Sequence, residues 1–123
     1  MRNASVLIVI SALAVMASPG CYYDNEEELY PNTFCDTVNI TYSGAISKII
    51  EGSCAIPGCH VAGGSGTGNF TVFAELKAQV DNGTLLRSVR REPNAIAMPS
   101  GGALRTCEIR QLELWVAAGA LNN

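Results

Sequence analysis

Ile46, Ile49 and Ile50 recur at i, i+3 and i+4 within the segment from Thr37 to Gly52, a spacing that predicts a short amphipathic helix ending near Gly52-Ser53. A second helix is predicted over VFAELKAQV, capped by Thr71 and closed by Asn82-Gly83, with Val72, Phe73, Leu76 and Val80 on its buried face. A further helical turn, LLRSVR, precedes Pro93. A last helix opens at Thr106 as its cap, aligns Ile109, Leu112, Trp115 and Val116 on one side, and stops at Gly119. No segment alternates as a strand does, so the pattern predicts an all-α domain of three to four short helices.

The connections between these helices are long and irregular. VAGGSGTGN is too glycine-rich to stay helical, and PNAIAMPSGG is a loop by composition. Loops of that length in a small domain are functional or disordered, and a buried planar cofactor would give them a surface to pack on.

The N-terminus has a different pattern. One early arginine, an apolar run from Val6 to Ala17, and small or turn-forming residues before Cys21 make residues 1–20 a secretory signal. The run is short of the roughly 20 apolar residues a membrane span takes. Gly20-Cys21 resembles the lipobox of bacterial lipoproteins, with Ser18 where that motif has leucine; the resemblance implies that Cys21 is lipidated. The segment YYDNEEELYP, with Asp24, Glu26, Glu27 and Glu28, reads as a solvated acidic tether over residues 21–36. It also resembles the acidic leader of some surface-exposed lipoproteins of Bacteroidetes. About 85 residues, 37–123, remain for one folded domain, small enough to need a disulfide, a metal or a cofactor.

Charge narrows the partners. Eight Lys/Arg stand against eleven Asp/Glu, a net charge of −3, and no basic face suggests nucleic acid. There is no paired acid and base, no nucleophile beside a histidine, and GGSGTG follows no strand, so neither an enzyme nor a small-molecule substrate is expected.

The chemistry is concentrated in CAIPGCH, residues 54 to 60, where Cys54 and Cys59 flank a four-residue spacer and His60 is the only histidine. The usual haem c attachment motif is C-x-x-C-H, with two thioether cysteines and a proximal histidine. Here the form is C-x4-C-H, and the spacer would have to bulge at Pro57-Gly58. Two other readings stay open. Cys54, Cys59 and His60 with Cys35 or Cys107 would make a three-sulfur zinc module, and a Cys54–Cys59 disulfide would close a turn in a structural or binding lipoprotein without haem. Met1 and Met16 lie in the signal, which leaves Met98 as the one methionine of the mature chain and the candidate second axial ligand.

With CAIPGCH, AMPSGG and the closing pattern LRTCEIRQLELWVAAGALNN, the chain from about Tyr42 to Asn123 resembles the class I cytochrome c family. More narrowly, it resembles the small monohaem cytochrome c lipoproteins of Bacteroidetes. The resemblance implies a cytochrome c-like fold around one covalent haem c, held by Cys54 and Cys59 with His60 and Met98 on the iron. It implies an electron-transfer protein, exported and lipid-anchored to a bacterial membrane facing the periplasm or the cell surface. Its partners would be redox proteins such as membrane respiratory complexes. In the family an aromatic of the last helix packs where the first and last helices cross, and Trp115 matches that position. Many members orient the proximal histidine through a proline carbonyl. No proline lies between His60 and Pro93, so a carbonyl of residues 63–69 is expected in its place. With Cys21 on lipid and Cys54 and Cys59 on haem, Cys35 and Cys107 remain as a disulfide pair in an exported protein.

Overall fold

The computed structural model describes residues 35–123. The signal over residues 1–20, the Cys21 lipidation site and the tether up to residue 34 lie outside the described residues. A π-helical turn, Tyr42–Ile46, runs without a break into helix α1, Ser47–Ser53. Helices α2 (Phe73–Asp81), α3 (Thr84–Val89) and α4 (Thr106–Ala117) follow, and the described residues contain no strand. Among them no helix is long and apolar enough to cross a membrane.

The opening turn is widened because both Ala45 and Ile46 donate to the Thr41 carbonyl, at 3.2 and 3.3 Å, while Thr41 Oγ1 caps Gly44 N–H at 3.1 Å. The turn packs against α4, and α3 bridges α4 to α2. Tyr42, Phe73 and Trp115 fill the join, with the Tyr42 ring centroid 4.8 Å from Phe73 edge-on and 5.9 Å from Trp115. The buried Trp115 indole is satisfied by the Leu121 carbonyl at 2.9 Å. Asn123 ties the C-terminal segment back, its carbonyl accepting from Ser43 N–H and its side-chain oxygen from Tyr42 N–H.

The isoleucine stripe is buried as a unit, and Leu76, Val80, Leu85, Val89, Leu104 and Leu112 complete the core. Two caps differ from expectation. Val72, not Thr71, precedes α2, and it is exposed rather than part of the buried face. The Thr71 hydroxyl instead donates to Asn69 Oδ1 at 2.7 Å, and Asn69 N–H is taken by Glu75 at 2.7 Å. At α4 the cap position is Arg105, with Thr106 already helical. Glu108 reaches back to accept Arg105 N–H at 2.9 Å, which places a carboxylate at the positive end of the helix.

Cys35 and Cys107 are joined, their Cα atoms 5.5 Å apart across a sequence separation of 72. Gln111 donates to the Asp36 carbonyl at 2.8 Å. The last residues assigned to the tether are therefore fastened to α4.

Candidate functional site

Helix α1 ends where CAIPGCH begins. Cys54 leaves the helix with its N–H still on the Ile50 carbonyl at 2.9 Å, and its side chain is buried. The spacer then turns sharply: Cys59 N–H donates to the Ile56 carbonyl at 3.0 Å across Pro57-Gly58. Gly58 has φ +83°, and proline followed by a residue of positive φ is the order of a type II turn. His60 N–H closes the loop on the Cys54 carbonyl at 3.1 Å. The two extra residues are thus absorbed in one tight turn, and both cysteines and His60 border the same space.

That space is a cavity of about 560 Å³, within the range of ligand sites in proteins. Cys54, Cys59, His60 and Met98 all line it, together with apolar side chains that include Phe70, Leu85, Val89 and Leu104. Met98 arrives from a different part of the chain. Its N–H donates to the Ser88 carbonyl at 3.1 Å, and Arg91 Nη2 donates to the Pro99 carbonyl at 2.9 Å, so the AMPSGG loop is fixed on both sides of the methionine.

His60 Nδ1 lies 3.0 Å from the Thr67 carbonyl. A carbonyl accepts and does not donate, so Nδ1 carries a proton, and in the neutral ring Nε2 keeps its lone pair. Thr67 therefore fills the role for which the sequence left all of residues 63–69 open. Phe70, which the sequence did not single out, stacks on the ring, and Gly66 lies so near that a Cβ added to it would meet the ring. The glycine richness of VAGGSGTGN was the available signal, since a loop without side chains can lie flat against a neighbour.

The Cys54 thiol is pushed up to about 11, first by burial and then by the negative charge of Glu108 and the neighbouring Cys59. The zinc arrangement lacks its fourth ligand, since Cys35 and Cys107 are bonded to each other. Cys54 and Cys59 are both free thiols here. Among the described residues no three His, Cys, Asp or Glu side chains converge as metal ligands. Two thiols, an imidazole nitrogen and a thioether sulfur on one largely apolar cavity are the donor set that a covalently attached haem takes. No protein-family model, curated protein or solved structure matches this chain.

Proposed function

We propose that the protein is a monohaem c-type cytochrome that transfers electrons and makes no bond on a substrate. One observation carries the reading: Cys54, Cys59, His60 and Met98, drawn from two distant segments, line a single cavity. A haem, when bound, supplies the reversible one-electron change at iron. The chain's own residues do the rest. Cys54 and Cys59 would hold the group through two thioether bonds, an attachment with no net redox change. His60 offers Nε2, while Thr67 orients its ring and strengthens it as a donor. Met98 would offer a thioether, which would raise the reduction potential relative to a second imidazole. Phe70, Leu85, Val89 and Leu104 give the cavity apolar walls. By the family resemblance, the chain is exported, anchored through lipid on Cys21, and passes electrons to and from membrane respiratory complexes.

Protein made with haem-attachment machinery should show the sharp bands of a reduced low-spin cytochrome and a mass one haem above the processed chain. Met98→Ala should remove the sulfur-to-ferric-iron charge-transfer band and lower the potential. A colourless protein with the bare chain's mass would overturn the proposal in favour of a disulfide-stabilised lipoprotein. One zinc per chain would favour the metal module.

A further inference from the structure

The loop after His60 encloses its imidazole more closely than a hydrogen bond requires. Gly66 stands so near that a Cβ at this position would lie 2.7 Å from Nδ1, 2.8 Å from Cε1 and 2.9 Å from Cγ. Phe70, itself buried, stacks on the ring with centroids 4.1 Å apart and planes 7° from parallel. Both contacts are anchored to the motif they serve. Gly66 N–H donates to the Cys59 carbonyl at 3.2 Å, and Phe70 N–H donates to the His60 carbonyl at 2.9 Å.

The second side-chain torsion of histidine is broad and roughly two-fold. A single bond to the Thr67 carbonyl fixes which nitrogen carries the proton but leaves the ring plane soft. Backbone too close to the ring to admit a Cβ, with an aromatic stacked on the ring, restricts that freedom. We infer that Gly66 and Phe70 are positioning residues that hold the His60 imidazole in the plane where Nδ1–H meets Thr67 and Nε2 is kept for a ligand in the cavity. What Nε2 binds rests on the haem reading; the clamp itself does not.

The sole histidine makes the test direct. In the full haem-free chain, at a pH where the ring is neutral, long-range proton–nitrogen spectra should show one tautomer, protonated at Nδ1, with cross-peaks from His60 to Phe70. Gly66→Ala should convert this to a tautomer mixture and weaken those cross-peaks. Phe70→Leu should also give a mixture, and Phe70→Tyr, which restores a stacked ring, should return the single tautomer. Gly52→Ala is the control, because a Cβ there meets nothing within 4 Å. In the haem-loaded chain the same two disruptive variants should shift the low-spin spectrum toward high spin with the haem still attached. A Gly66→Ala chain with a single Nδ1–H tautomer and intact cross-peaks would overturn the clamp. If that variant does not fold, the comparison of Phe70→Leu with Phe70→Tyr decides, and equal spectra overturn it. A wild-type chain that takes no haem removes the haem reading and leaves the tautomer measurement standing.

Discussion

Among the described residues, burial displaces the Cys54 thiol furthest. It ionises near 11 in the folded chain against about 9 for a free thiol, with desolvation the first cause. As pH rises through this window the unfolded chain loses the proton first, so the unfolded state binds fewer protons and folding stability falls. A displacement of two pH units corresponds to about 3 kcal/mol, lost between pH 9 and pH 11. Urea midpoints of the haem-free chain should therefore decline across that range and decline less in Cys54→Ala. Equal slopes in the two proteins would remove the buried thiol as the cause. Under the proposed haem attachment Cys54 would be a thioether that does not titrate, so the same decline should be absent from haem-loaded protein. His60 stood out in the sequence as the only histidine, and Met98 as the one methionine beyond residues 1–20. Gly66 and Phe70 did not, because a clamp is defined by contacts between residues and leaves no spacing to read.

Among the elements, α4 organises the others. It carries the fully buried Leu112 and Trp115, receives the opening turn on one side and α3 on another, and ties down the end of α3 through the Arg90–Glu113 pair at 2.8 Å. Trp115→Ala opens a cavity where the opening turn meets α4 and should cost about 3 to 5 kcal/mol. Val38→Ala, at a side chain 70% exposed, should change stability by less than about 0.5 kcal/mol. Denaturant unfolding of the two variants checks this, and a Trp115→Ala loss as small as that of Val38→Ala would contradict the packing. The helices themselves were legible from periodicity, since Ile46, Ile49 and Ile50 are all buried along with Leu76, Leu112 and Trp115. The caps were less so. A threonine before a helix caps only if its hydroxyl has no better partner, and Asn69 takes the Thr71 hydroxyl while Glu108 serves the start of α4.

For the whole molecule, the Cys35–Cys107 bond closes a loop of 72 residues that contains every other described helix before α4 reaches its midpoint. In the chain-entropy account a loop of this size contributes about 4 kcal/mol by restricting the unfolded chain, a large share of the stability of so small a domain. A Cys35→Ser, Cys107→Ser double variant should unfold at markedly lower urea, with its loss approaching that of Trp115→Ala. An unchanged midpoint would show that the bond adds nothing to the fold. The sequence by itself determined the helices, through the period of their apolar positions, and the donor inventory, through the scarcity of histidine and methionine. Both are local properties of composition and spacing. Only the tertiary structure decided that Pro57-Gly58 forms one tight turn, that Thr67 supplies the carbonyl to His60, and that the AMPSGG loop brings Met98 to the same cavity as CAIPGCH. Those outcomes depend on which hydrogen bonds close within the loops and, for Met98, on where a distant segment packs, and no periodicity records either.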